Sequence, residues 1–335
     1  MESKAILEKL VSFNTINDAE NEKIMNYIEN YLHHFGFTTD YKTKILAMFN
    51  SNNCNVGFLG HTDTVSHSGD WDTDPFKLTE RDGKLYGLGT SDMKGSVAAI
   101  LGAVSKIDFK KLQSGLKLFF TFDEEIGFGG VLELVSNNTA FPDLMIVGEP
   151  TDNQVINASK GLLELKIEFH GVSSHASTPE EGINAIENCV DFITNLQEYY
   201  KKLKTQSINS KAATMNIGVI NGGRSSNIVP EYCEVIIDFR TVLENQNQDI
   251  VSEVMRLAGK KAKITIINNV TPFKGKSENI NMSDFITEAS FIKAKEKIIL
   301  GVGPVNAHKK NEFITIKSLE KLEQQYVDLI QKNCQ

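Results

Sequence analysis

The chain has 335 residues, 41% of them apolar and 23% charged, with a net charge of −8. That length predicts about two domains with sizeable cores, and an acidic surface without basic stripes excludes nucleic acid and anionic membrane as partners. The start, MESKAILEKLVSF, is amphipathic and acid-bearing rather than a signal peptide, and no apolar run approaches the roughly 20 residues of a membrane span. The four cysteines (Cys54, Cys189, Cys233, Cys334) form no C-x-x-C pair, so the expectation is a reduced, cytoplasmic protein.

Residues 2–12 and about 18–35 read as helices, the second from Ile24, Met25, Ile28, Tyr31 and Leu32 at helical spacing. Strands are expected at Lys44–Phe49 and Asn55–Gly60. The latter delivers His61 and Asp63, which lie two apart and so face one way on an extended segment. A loop spans Trp71–Gly83. Ser91-Asp92-Met93-Lys94 precedes a small-residue helix, Gly95–Ile107. The buried strand Leu116–Phe122 ends in Asp123-Glu124-Glu125, and Leu144–Val147 ends in Gly148-Glu149-Pro150. Alternating strands and helices predict an α/β domain with a mixed, mostly parallel sheet and a site at the strands' carboxyl ends. His61, Asp92, Glu124, Glu125 and Glu149 all fall at such ends.

After about residue 158 the pattern changes. Leu162–Phe169, a helix Asn184–Leu203, Thr214–Val219, Glu231–Arg240, a helix Asp249–Lys260 and Lys263–Ile267 give the order β-α-β-β-α-β of a ferredoxin-like α+β sandwich. Domain boundaries are therefore expected at 1–157 with 269–335, and at 158–268. The last segment brings the strand Lys297–Val302, His308 and a closing helix over 318–331.

Cleaving an unactivated amide requires a nucleophile at neutral pH and stabilisation of a tetrahedral intermediate. Two metal ions about 3.5–4 Å apart supply both. Two imidazoles (His61, His308) and three carboxylates (Asp92, Glu125, Glu149) are the available ligands, a mixed N/O set that suits zinc, with cobalt or manganese as substitutes. Asp63 is placed to orient His61 from behind. Of the adjacent Glu124 and Glu125, one can reach a metal while the other acts on water as a general base.

His61-x-Asp63, Ser91-Asp92-Met93-Lys94-Gly95, Asp123-Glu124-Glu125, Gly148-Glu149-Pro150, Gly171-x-Ser173-x-His175 and Ala307-His308 resemble the motifs of the M20 dinuclear-zinc amidohydrolases and peptidases. The resemblance implies a zinc-exopeptidase-like catalytic domain with an inserted lid and dimerisation domain. It implies two divalent metals per subunit, zinc with cobalt able to substitute: one held by His61, Asp92 and Glu149, the other by Asp92, Glu125 and His308. Glu124 would be the base, and His175 would reach a neighbouring subunit's site to stabilise the oxyanion in a homodimer joined through the lid.

The stretch Asp74–Thr90, together with Thr287-Glu288-Ala289 and Gly301-x-Gly303-Pro304…Asn311-Glu312, is most similar to the acetylornithine-deacetylase branch of that family. This implies an N-acyl amino acid substrate, with Lys160, Asn227 and Arg240 as candidate substrate contacts. A desuccinylase, a small dipeptidase and a non-catalytic metal-binding protein are the alternatives. The Gly301-Val302-Gly303-Pro304 turn departs from the family's plain Gly-Pro-Gly and is expected to shift backbone donors near the substrate. The segment from 270 to 287 is shorter than usual.

Overall fold

Cys54–His61 runs parallel to Gly115–Thr121 on one side and to Leu144–Val147 on the other. Glu296–Ile299 continues the parallel part beyond Leu144–Val147, while Ile45–Phe49 and then Thr38–Lys42 close the opposite edge antiparallel. The computed structural model describes residues 2–42, 44–67 and 69–335. They form two units, 1–157 with 287–335, and 158–286.

In the first unit the central strands are apolar runs because they are buried on both faces, as parallel strands are. Val56, Phe58, Leu59, Leu116, Leu118 and Phe120 are all fully buried, and each such side chain stabilises the fold by about 1.5–3 kcal/mol. Helices Glu2–Val11, Asn21–His33, Gly95–Ser105 and Ile316–Cys334 share this core. Residues 95–104 are buried all round, which explains the run of small and aliphatic side chains there. A Cβ on Gly95 would lie 2.2 Å from the carbonyl oxygen of Thr90, so only glycine lets this helix start against the preceding loop. The last helix shows the spacing of a one-sided stripe, with Leu319, Leu322, Tyr326 and Ile330 buried, and the Thr315 hydroxyl caps it by accepting from the Ser318 N–H at 3.1 Å.

The second unit has the order β-α-β-β-α-β. Its four-stranded antiparallel sheet runs Thr214–Gly222, Tyr232–Thr241, Gly161–His170, Ala262–Val270. Leu163, Leu165, Ile167 and Phe169 alternate inward and pack with Val235, Ile237 and Phe239 against helices Ala185–Leu203 and Gln246–Ala258.

Several boundaries differ from the sequence reading. The chain rejoins the first unit at Thr287 rather than 269, because Phe273–Lys274 and Met282–Ser283 both pair with Ala158–Ser159 of the second unit. The short 270–287 segment is therefore partly strand. Glu124 and Glu125 do not extend the strand but open a helical turn, Glu124–Gly127, and a further helix, Gly129–Ser136, follows. Thr38–Lys42 is also a strand, although its sequence, TTDYK, is polar; it is an edge strand with both faces largely exposed. No helix among the described residues is long and apolar enough to cross a membrane.

Candidate metal centre

Three parallel strands end together in the first unit, where His61 is level with Thr121 and Leu59 with Val147. His61 is fully buried at the end of its strand. The chain turns immediately afterwards, the Thr62 N–H donating to the Thr121 carbonyl at 2.9 Å, so that Asp63 comes back behind the imidazole. The His61 Nδ1 lies 3.1 Å from the Asp63 carbonyl oxygen and 3.3 Å from its carboxylate. That carboxylate also accepts from the N–H groups of Glu124 and Glu125, at 3.4 and 3.1 Å. Asp63 thus fixes both the imidazole and the turn bearing the two glutamates.

Asp92 stands between two histidines. One of its oxygens is 3.2 Å from His61 Nε2, and the other is 3.2 Å from His308 Nε2. Glu149 approaches the same His61 nitrogen at 3.9 Å, and Glu125 lies 3.0 Å from His308 Nε2. The ligand atoms of His61, Asp92 and Glu149 lie within 4.8 Å of one another, as do those of Asp92, Glu125 and His308, and those of His61, Glu124 and Glu125. Of these carboxylates, only that of Glu124 makes no side-chain hydrogen bond or ion pair among the described residues.

The charges strain against burial. Burial disfavours a charged His61, yet the carboxylates of Asp63 and Asp92 outweigh it and raise the pKa well above the usual value. Asp92 shows the converse: burial opposes its charge, but the two histidines hold it far below the carboxylate range. Glu149 and Glu124 are pushed well up, by burial first and by neighbouring carboxylates second. His308 is raised to about 10 by Asp92 and Glu125. The crowded carboxylates thus favour protons on both imidazoles, and Glu149 Oε1 is buried with no hydrogen-bond partner. Buried charge without a partner is costly, and this N/O donor set at strand ends suits divalent cations in the positions those protons take.

Some supporting residues belong to the motifs quoted above, yet the sequence does not show what they do. The carboxylate of Glu312 accepts from the backbone N–H groups of Gly89, Ser91 and Asp92 at 2.9, 2.6 and 3.0 Å. It clamps the loop that presents Asp92, whose peptide bond to Met93 is cis. Glu312 follows His308 by four positions, and His308 itself sits at a φ of +60°, unusual for a histidine. Lys94, fully buried, donates to the Phe13 carbonyl at 2.9 Å, and burial lowers its pKa to about 7. Glu288, also fully buried, accepts from the Thr121 hydroxyl at 2.9 Å. Asn311-Glu312 carries part of the family resemblance, and the three converging amides show what Glu312 does.

The remaining candidates lie in the second unit. His175 is exposed, its Nδ1 2.7 Å from the Ser177 hydroxyl. Asn227 accepts from the Ser225 hydroxyl and, through its carbonyl, from the Ala176 N–H at 3.0 Å, which ties the 225–228 loop to the His175 segment. Arg240 is engaged by both oxygens of Asp238, at 2.9 and 3.0 Å, and Lys160 is buried in an ion pair with Asp284 at 3.0 Å. Both cations thus have resident partners. In the Gly301–Pro304 turn the N–H groups of Gly301, Val302 and Gly303 donate to the hydroxyls of Thr151, Ser96 and Ser318.

The profile of peptidase family M20/M25/M40 matches residues 57–332. Acetylornithine deacetylase of Proteus mirabilis (strain HI4320) is 35% identical over 95% of this chain and 91% of its own. The enzyme of the same name from Yersinia pseudotuberculosis is 33% identical over 95% and 92%. Among solved structures, aminopeptidase PepT of Bacillus cereus superposes with a TM-score of 0.83 at 18% identity, covering 100% of this chain and 98% of that one. The YXEP protein of Bacillus subtilis, described as a dinuclear metal-binding peptidase of family M20, superposes with a TM-score of 0.75 at 12% identity over 99% and 98%. The strand-end cluster thus sits on the M20 fold, and the chain is a hydrolase belonging to peptidase family M20/M25/M40.

Proposed function

We propose that the protein hydrolyses the amide bond of an N-acyl amino acid, with N-acetyl-L-ornithine as substrate and ornithine and acetate as products, a reaction that would feed arginine biosynthesis. The observation that carries this reading is Asp92, whose two oxygens face His61 and His308 and so join two three-residue ligand groups. The names of the relatives favour acetylornithine among N-acyl amino acids.

His61, Asp92 and Glu149 would hold one divalent ion, and Asp92, Glu125 and His308 the second, zinc being the best match to the donors. Bound there, the ions would supply Lewis-acid polarisation of the amide carbonyl and acidify water. Glu124, the carboxylate without a partner, takes a proton from the attacking water as its oxygen bonds to the acyl carbon. When the C–N bond breaks, Glu124 returns that proton to the departing nitrogen. Asp63 keeps His61 oriented throughout.

The second unit acts in this reading as lid and dimerisation domain. His175 of a second copy donates to the oxyanion, while Asn227, Arg240 and Lys160 contact the substrate, Arg240 and Lys160 by exchanging their resident carboxylates. In support of a homodimer, both edge strands of the four-stranded sheet carry exposed aliphatics, Val219 and Ile220 on one and Ile266 and Ile267 on the other, and such edges are prone to pair.

The deciding experiment measures hydrolysis of N-acetylornithine, N-succinyl-diaminopimelate and several dipeptides by the protein loaded with zinc or cobalt. The highest kcat/KM is expected on N-acetylornithine. A higher value on a succinyl or peptide substrate would replace the reading with a desuccinylase or dipeptidase.

A further inference from the structure

A cavity of about 220 Å³ opens beside Asp63 and Glu125, within the first unit. The loop Thr15–Asp18 forms one wall. It is firmly held, because the Thr15 hydroxyl donates to the Thr62 carbonyl at 2.8 Å, next to the turn that carries Asp63. The Asn21 amide bridges the Asp18 carboxylate, at 2.6 Å, and the Phe122 carbonyl, at 3.4 Å. Asp18 is thereby fixed over the end of the strand that leads into Glu124. Its φ of +66° is one that aspartate tolerates better than most side chains.

The lining is divided by chemistry. Val65, Phe122 and Ile126 are apolar, and Ile126 is 67% exposed although large and aliphatic. Asp63 and Glu125 are committed to histidines and backbone amides. Asp18 alone among these acids is exposed and outside any ion pair among the described residues. Thr64, buried in the cavity lining, has a hydroxyl with no hydrogen-bond partner. An apolar wall ending at a carboxylate that has an amide partner but no cation fits an unbranched aliphatic stem that terminates in a cation.

We propose that this cavity is the side-chain subsite, and that Asp18 selects N-acyl amino acids with a pendant ammonium group over neutral ones. The proposal rests on the amidohydrolase reading above and adds to it a specificity-determining residue outside the metal cluster. The cation's stem lies along Phe122 and Ile126, and Asp18 accepts its hydrogen bonds.

The test compares N-acetylornithine with N-acetylnorvaline, which has the same carbon skeleton without the terminal amine, in the metal-loaded wild type and in Asp18→Asn. Asparagine retains the oxygen that accepts from Asn21. Hydrogen bonds to charged groups predict that the kcat/KM ratio of cationic to neutral substrate falls about tenfold or more, mainly through KM. Calorimetric binding of ornithine against norvaline to the same proteins gives a readout independent of turnover. Rising salt should weaken ornithine binding to the wild type and much less to Asp18→Asn. If N-acetylornithine is not hydrolysed but the ornithine preference is present and lost in Asp18→Asn, the deacetylase reading falls and the subsite stands. A wild type that does not prefer ornithine, or a ratio that Asp18→Asn leaves within twofold, overturns the subsite.

Discussion

In the first unit, His61, Asp63, Asp92 and Glu149 have side chains between 0 and 13% exposed and are held by strand ends, backbone amides and one another. In the second unit, His175 and Asn227 stand on exposed loops tied only to neighbouring hydroxyls and backbone, and Arg240 is a third exposed and paired with Asp238. The two designs differ in what they cost the folded chain. Crowding carboxylates and imidazoles out of water is unfavourable unless charge is balanced, so the first cluster is preorganised at the expense of stability and gains most from cations. The second group incurs little desolvation and is free to change partners. A residue that must hold a metal at a fixed distance belongs to the first kind, and one that must meet a substrate as it arrives can belong to the second.

Removing Asp92 should break the first design most severely. Asp92→Ala takes one ligand from each group, so elemental analysis should show both metal sites depleted. Activity should fall by more than the 10–100-fold typical of residues that only orient a ligand. Unchanged metal content would remove Asp92 from its bridging place. Glu124→Gln sharpens the same picture, since a base touches water rather than metal. Metal content should persist while turnover drops by about 10²–10⁴-fold. A variant that lost metal instead would make Glu124 a ligand, a role its closeness to His61 and Glu125 permits.

For the second design, His175→Ala should lower kcat by about 10²–10³ with a smaller effect on KM, as expected for an oxyanion donor. Mixing it with Glu124→Gln should restore activity if each site draws its base from one chain and its histidine from another. No recovery after verified subunit exchange would confine His175 to the surface.

Glu312→Gln probes how the first design is supported. Glutamine offers one acceptor oxygen where the carboxylate offers two to three amides, so the Asp92 loop should loosen. A loss of about 10–100-fold in metal affinity is expected by analogy with other groups that orient ligands, measured by competition with a chelating dye. An unchanged affinity would make Glu312 a purely structural anchor.

The same contrast explains what the sequence made legible. Strand ends announce themselves, because an apolar run followed by His61-x-Asp63, Asp123-Glu124-Glu125 or Gly148-Glu149 has little alternative but to place those groups at one sheet edge. The β-α-β-β-α-β order was readable from alternation in Leu162–Phe169 and Glu231–Arg240, which packing on one face imposes. Groups whose role depends on tertiary convergence were not readable. Glu312 gathers three amides from 220 or more positions away, Asp18 lies ahead of the helix Asn21–His33 whose start was expected near 18, and the return point at Thr287 is set by two-residue strands too short to pattern. Resident partners are equally invisible: the candidate substrate contacts Lys160 and Arg240 are paired with Asp284 and Asp238.

The smallest expected effect concerns Glu288, a buried acid of the first unit that touches none of the candidate ligands. Burial, aided by the charges of Asp63 and Asp123, raises its pKa from 4.5 to about 7. A carboxyl whose pKa is higher folded than unfolded favours the folded state in its protonated form. Its contribution is therefore complete below about pH 4.5 and is lost as pH rises through about 7. Glu288→Gln keeps an oxygen to accept from Thr121 but cannot ionise. Urea denaturation of the metal-free wild type and variant should give similar stabilities at pH 5. The variant should then gain on the wild type with rising pH, by up to about 3 kcal/mol at pH 9, from 1.36 kcal/mol per pKa unit. The charge of Glu288 also acts on Glu124 and Glu149, and that of His61 acts on Glu288, so the difference reads the Glu288 titration together with its coupling to these neighbours. A difference that stays constant from pH 5 to 9 would mean that Glu288 does not titrate in this range, and that the buried acids of the first unit are stabilised by more than the Thr121 hydroxyl.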